Sequence, residues 1–343
     1  MKLNQNIKRF INYFLGPLLF AWLSWSIYRH IQEQPNLEKA WAKIRDSFSS
    51  SLVWNLVIAI MLMFVNWSLE AYKWKISVKA IQDISFSRAF KAVLSGVSFS
   101  VSTPNRMGEY LGRVLYMDEG NRLRTIALTI TGSISQLLVT LFMGGIGLLV
   151  LRPEIEASGL VSSIWMQVLL YGVGAAILVL TVFYFRLSWL IRMVDRLPGS
   201  SRFAYLVRAL EDFDATLLLR LLSLSALRFV VFIVQYYLLF RLFNVELSWW
   251  QAWWSVSVMF LVMAVIPTFA IAELGMRGEI SIKLIGLFSI NNLGIWMTSM
   301  TVWLVNLILP AVAGSLLILG IRKIFTGKKE TGQDPENPAL SNK

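Results

Sequence analysis

The sequence predicts an all-α polytopic membrane protein, with about six full spans plus two re-entrant hairpins in an inverted repeat. Three observations carry that expectation. The 343 residues are 56% apolar and only 15% charged, whereas soluble domains run near a quarter charged. Several apolar runs reach the ~20 residues a helix needs to cross the hydrocarbon core. One unusual motif also occurs twice, as Ser102-Thr103-Pro104-Asn105-Arg106-Met107-Gly108-Glu109-Tyr110-Leu111-Gly112-Arg113 and as Ile266-Pro267-Thr268-Phe269-Ala270-Ile271-Ala272-Glu273-Leu274-Gly275-Met276-Arg277-Gly278-Glu279. Each copy reads Pro, then Glu five or six places on, then Arg four places after that. Each follows an apolar stretch too short and too interrupted for an ordinary span. Paired, broken, charge-bearing segments at matching positions of two halves point to a transporter site at the bilayer midplane.

Taken in order, the first span runs roughly from Phe10 to Tyr28. It has no small-residue cleavage site and is read as a retained helix, not a signal peptide. The second runs from Leu52 to Leu69. The Ser- and Gly-rich segment Ala89 to Thr103 then leads into Pro104 and forms, with the helix after its motif, the first hairpin. Spans follow at Ile126 to Leu151, Ile164 to Phe185 and Leu217 to Phe240. Trp250 to Ile266, ending at Pro267, opens the second hairpin, and Ile295 to Ile321 is the last span. Residues 1–325 form a single transmembrane domain, and the Gly-, Pro- and Asn-containing charged tail 326–343 is expected to be disordered.

The net charge of +12 is placed in loops, as the positive-inside rule requires, and is not a nucleic-acid signal. Lys2, Lys8 and Arg9, the cluster from Lys73 to Lys91, the arginines from Arg186 to Arg208, and Arg322 to Lys329 all fall on one side if each span crosses once. Both termini are therefore expected in the cytoplasm. Counting the two motif segments as hairpins keeps this bias. The first hairpin then enters from the cytoplasm and the second from outside. With no cysteine and a single histidine, His30, the sequence excludes disulfides, thiolate metal sites and a multi-histidine centre. It has no P-loop, Rossmann fingerprint or HExxH pattern, and no cofactor or catalytic residue is assigned.

The register supports a duplication, with repeats at about 52–151 and 217–321. Glu109 and Glu273 lie 164 residues apart, as do Arg113 and Arg277, and Pro104 and Pro267 lie 163 apart. Since the hairpins enter from opposite faces, the repeats are inverted about an axis in the membrane plane.

The candidate substrate-binding residues are Pro104, Arg106, Gly108, Glu109, Arg113, Pro267, Glu273, Arg277, Glu279 and Arg228. Ionisable groups inside a membrane face a cavity or a partner and are functional candidates by default. Glu109/Arg113 and Glu273/Arg277 are spaced i, i+4 and can pair on one helix face. The alternative is that they only neutralise each other. Pro104 suits the first turn of a helix with Thr103 as its cap, and the arginine fork suits a phosphate. The glutamates suit a cationic headgroup or a proton. Arg228 sits about eleven residues into its span by this reading, roughly 16 Å deep, unless the span starts later. Asn66, Glu70, Gln136 and Asn306 are weaker candidates.

The Thr-Pro-x-x-x-Gly-Glu segment followed by Arg113, and the segment from Pro267 to Glu279, resemble the signatures of the lysylphosphatidylglycerol synthase transmembrane-region family, which includes the membrane half of the multiple peptide resistance factor. Two departures bear on substrate identity. Ile271-Ala272-Glu273 stands where the family usually has glycines, and Gly278 separates Arg277 from Glu279. The resemblance implies a flippase-like protein that moves a lipid between leaflets. That lipid is an anionic or aminoacylated phospholipid, or a lipid-linked glycan. The aminoacyltransferase domain of bifunctional members is absent up to Lys343, so no lysylphosphatidylglycerol synthesis is expected. Two other readings stand beside this one: a membrane enzyme acting on a lipid headgroup or polyprenyl phosphate, and a non-catalytic partner of an envelope-synthesis glycosyltransferase. A homo-oligomer is a further expected association.

Overall fold

The computed structural model describes residues 25–26, 28–101, 103, 107–186, 213–266 and 270–330. Among these the chain is all helical: α1 (Leu37–Phe48), α2 (Val53–Val78), α3 (Phe86–Val101), α4 (Gly108–Val114), α5 (Arg122–Val150), α6 (Arg152–Ala157), α7 (Ser163–Phe185), α8 (Ala215–Leu242), α9 (Trp249–Val265), α10 (Ala270–Ile285), α11 (Asn292–Trp303) and α12 (Leu309–Glu330). A π turn, Leu304–Ile308, joins α11 to α12.

Among the described residues, five segments are long and apolar enough to cross a membrane: Val53–Val78, Glu119–Val150, Ser163–Phe185, Ala215–Leu242 and Asn292–Leu319. They match the expected second to sixth spans. The expected first span lies almost wholly outside the described residues. α2 runs nine residues past its expected end at Leu69, because Glu70 and Lys73 find partners in the interior. α12 continues as helix to Glu330, beyond the expected start of a disordered tail at Thr326. The rest of that tail lies outside the described residues. α1 occupies a segment expected to be loop, and buries Ile44 against the α8 end of the bundle.

Local chemistry sets several helix starts. Asp214 accepts the Leu217 N–H at 2.7 Å and caps α8. Ser248 and Gln251 form a capping box on α9. Asn291 accepts the Gly294 N–H at 3.0 Å and caps α11. At 1.5 Å per residue, α3 (16 residues) and α9 (17 residues) are only about 24–26 Å long, short of the ~30 Å hydrocarbon thickness.

Both short helices fold back on the next one. A Cβ at Gly112 would fall on the backbone of Ser95 and Gly96, and one at Gly108 on that of Phe99 and Ser100. Rising numbers in α4 thus meet falling numbers in α3, in an antiparallel hairpin whose backbones touch only because glycine stands there. In the second pair, Ser281 Oγ donates to Met259 Sδ at 3.0 Å and the Arg277 guanidinium lies 5.9 Å from the Phe260 ring. That pairing is antiparallel too.

The packing exchanges between halves. α3 packs on α12, and α9 packs on α5. α4 packs on α5 as α10 packs on α11, and α2 packs on α8. The buried apolar side chains fall in two clusters. One gathers α9, α10, α11 and the second halves of α5 and α8, around Phe240, Met259 and Ile285. The other gathers α2, α3, the first halves of α5 and α8, and the start of α12, around Trp74, Val93 and Leu221.

Candidate functional site: a charged cavity between two helical hairpins

Between the two apolar clusters lies a cavity of about 440 Å³. Its charged walls are Glu70 and Lys73 from α2, Glu109 from α4, Arg228 from α8, and Glu273 and Arg277 from α10. Gln136 of α5 and Asn306 of the π turn add neutral polar groups, and Trp67, Phe229, Phe232, Phe260 and Trp303 supply aromatic surface.

Glu70 is the hub. Its Oε1 accepts from Arg113 Nη2 at 2.8 Å, and its Oε2 accepts from Lys73 Nζ at 2.9 Å and from Nη1 of Arg228. Arg228 also donates from Nε to Asn66 Oδ1 at 2.8 Å, and Asn66 Nδ2 donates to Asn306 Oδ1 at 3.3 Å. Its guanidinium lies 5.7 Å from the Trp67 ring, within cation–π range. Lys73 Nζ completes its shell with Gly132 O at 3.2 Å and Ser225 Oγ at 3.3 Å. A charge in an apolar interior persists only when paired and hydrogen-bonded, and these contacts meet that condition. Among the described residues, three cations, Lys73, Arg113 and Arg228, face the carboxylates of Glu70 and Glu109.

Both motif pairs form as the spacing predicts. Arg113 Nη2 reaches Glu109 Oε2 at 3.3 Å, and Arg277 Nη2 reaches Glu273 Oε1 at 2.6 Å. Each arginine then touches the first span of its own half: Arg113 at Glu70, and Arg277 through Nη1 at Tyr236 Oη, 3.1 Å away. The Nε of both arginines is buried without a hydrogen-bond acceptor among the described residues. A buried donor left unpaired costs about 1–3 kcal/mol.

Of the residues singled out from sequence, Glu109, Arg228, Glu273 and Arg277 line the cavity, and Arg113 lies buried behind Glu70. Arg228 falls at the centre of α8, which begins at Ala215, so the span does not start late. Glu279 does not join them. It accepts from Ser26 Oγ at 3.0 Å and lies 3.7 Å from His30 and 3.5 Å from Lys283. It lies six residues after Glu273, which turns it to another face of α10. Gly108 serves packing of the first hairpin. α4 is described from Gly108, whose N–H donates to Thr103 Oγ1 at 2.7 Å. Pro104, Arg106 and Pro267 lie outside the described residues.

Sequence reasoning missed Lys73, which it placed in a basic cytoplasmic segment, and Tyr236, which is unremarkable inside an apolar span. Only the i, i+3 spacing of Glu70 and Lys73 signalled the first.

Residues 13–314 match the family model described as the lysylphosphatidylglycerol synthase TM region. The chain belongs to this family. It is a multi-pass membrane protein of the family's membrane region, as its motifs suggested. No curated protein matches the chain significantly.

Proposed function

We propose that this member of the lysylphosphatidylglycerol synthase TM-region family moves a membrane lipid between leaflets, drawing the headgroup into the cavity between the two hairpins. The observation that carries the reading is the cavity itself: mid-bundle, aromatic-walled, and lined by both signs of charge from four helices. The Nε of Arg277, on the cavity wall and without an acceptor among the described residues, suits a phosphate. Glu109 and Glu273 suit a cationic amine. A phospholipid headgroup, aminoacylated or not, or the phosphate end of a lipid-linked glycan presents such groups while its acyl chains stay in lipid.

The exchanged packing of α3 on α12 and α9 on α5 supports an inverted repeat with two re-entrant hairpins. α7, which belongs to neither half, is the odd crossing that places the second half upside down. Rocking of one half against the other would then alternate access. The charge bias of the loops supports an inner-membrane protein with both termini in the cytoplasm.

The test is transport in liposomes, using phosphatidylglycerol and phosphatidylethanolamine carrying a reducible fluorophore on one acyl chain. The protein is expected to expose inner-leaflet lipid to an external reductant, and folded Glu109→Gln and Arg277→Gln variants to do so at least tenfold more slowly. Full rates in both folded variants overturn the assignment. Turnover of lipid to a new product in detergent would favour a membrane enzyme instead.

A further inference from the structure

A second cavity, of about 540 Å³, opens between α5 and α7 and shares no lining residue with the central one. Its walls are apolar, with Phe142, Ile146 and Leu149 on one side and Val173 and Ile177 on the other. Gly145 and Gly174 hollow it out, and a Cβ at Gly174 would meet nothing within 4 Å. Arg152 and Gln167 close one end, where α5 stops at Val150 and α7 has just begun at Ser163.

We propose that this groove binds one acyl chain of a membrane phospholipid, with the lipid's phosphate on Arg152. Length argues for it. On one side the wall runs from Phe142 through the end of α5 to Arg152; on the other, Gln167 to Ile177 is ten residues along α7, or about 15 Å at 1.5 Å per residue. That is the depth of one leaflet of a ~30 Å core. The groove is polar where the headgroup region falls and apolar below it.

Charge argues for it as well. Arg152 Nε donates to Glu156 Oε1 at 2.8 Å, which holds the guanidinium at the mouth of the groove. The two Nη groups carry the fork that suits two phosphate oxygens. A transmembrane helix is a poorer occupant. It would need contact along the whole of α7, yet the groove ends at Ile177, eight residues before Phe185. α7 is also the least buried of the five spans among the described residues, with 6% of its apolar window inside the fold.

The experiment is photolabelling in nanodiscs with a phosphatidylglycerol that carries a diazirine part-way down one acyl chain, followed by mapping of the labelled residues. Label is expected on Phe142 to Leu149 and Val173 to Ile177, above the level at Val168 and Val179, which lie on other faces of α7. Gly174→Leu fills the open space and should cut groove labelling at least tenfold with a melting temperature no lower than that of the wild type. Arg152→Gln should cut it severalfold. Equal labelling of groove and outward faces, insensitive to Gly174→Leu, overturns the proposal. So does a wild-type dimer that Gly174→Leu dissociates, since the groove would then seat a second copy.

Discussion

Nη1 of Arg228 donates to Oε2 of Glu70 across 158 residues of chain, joining the first spans of the two halves at the centre of the bundle. Lys73 shares that oxygen, and Arg113 takes the other. Glu70→Gln would leave three buried cations around a neutral amide. Breaking a buried pair from one side costs about 3–5 kcal/mol, so unfolding of the purified protein in detergent should shift down by that order. Glu70→Gln/Arg228→Gln should lose less than the sum of the single variants, with a coupling of about 0.5–3 kcal/mol. Strict additivity would mean that the two groups act independently.

Glu109 calls for the opposite outcome. Its side chain is 21% exposed to the cavity and holds Arg113 by one 3.3 Å contact, while Glu70 keeps that arginine at 2.8 Å. Glu109→Gln should therefore cost no more than about 0.5–1.5 kcal/mol, yet slow transport at least tenfold. Stability and liposome flux measured on one preparation separate a cavity role from a purely structural ion pair. A large stability loss with unimpaired flux per folded molecule would sink the cavity role.

Arg277→Lys tests the second pair. Arg277 serves Glu273 through Nη2 and Tyr236 through Nη1, and lies over Phe260. A lysine keeps the charge but loses the planar fork and the stacking. Flux should fall toward that of Arg277→Gln. Recovery to the wild-type rate would show that charge alone suffices there.

These residues differ in how far the sequence could reveal them. Glu109/Arg113 and Glu273/Arg277 were legible because an i, i+4 pair is a local fact of helix geometry. Arg228 was legible from its depth in an apolar run. Glu70 gives only a weak signal and Lys73 reads as part of a basic cytoplasmic segment, since hydropathy falls where both stand. Their partners lie 43 to 158 residues away in sequence, and no local pattern encodes such contacts. Glu279 shows a related limit: closeness in sequence to Arg277 does not put it on the same helix face, and it meets Ser26, His30 and Lys283 instead. The helix order was legible almost throughout, because hydrophobic length marks spans and proline marks their breaks. The amphipathic α1 was not, being too polar to register as a span.

The first hairpin depends on glycine at one close approach. Gly112→Ala would drive a methyl group into the backbone of Ser95 and Gly96. Backbone cannot rotate away as a side chain can, so overpacking of about 1–3 kcal/mol is expected. Gly172→Ala in α7 is the control, because a Cβ there meets nothing within 4 Å and alanine favours helix by up to ~1 kcal/mol. Opposite shifts in melting temperature are the expected result. Equal shifts would show that α3 and α4 can separate at little cost.

The π turn gives the last prediction. Pi-bulges break the regular helical ladder and often sit at functional sites. Here the wound segment Leu304–Ile308 sets Asn306 into the cavity wall. Asn306 Oδ1 accepts from Asn66 Nδ2, its own Nδ2 donates to Val302 O at 3.1 Å, and Asn66 in turn holds Arg228 Nε. Asn306→Ala strips the buried Asn66 amide of its acceptor, a loss of about 1–3 kcal/mol, and frees it to turn away from Arg228. Asn306→Asp restores an acceptor and should recover much of that stability. If alanine melts with the wild type, Asn66 does not depend on the π turn, and Arg228 is held by Glu70 and Trp67 without it.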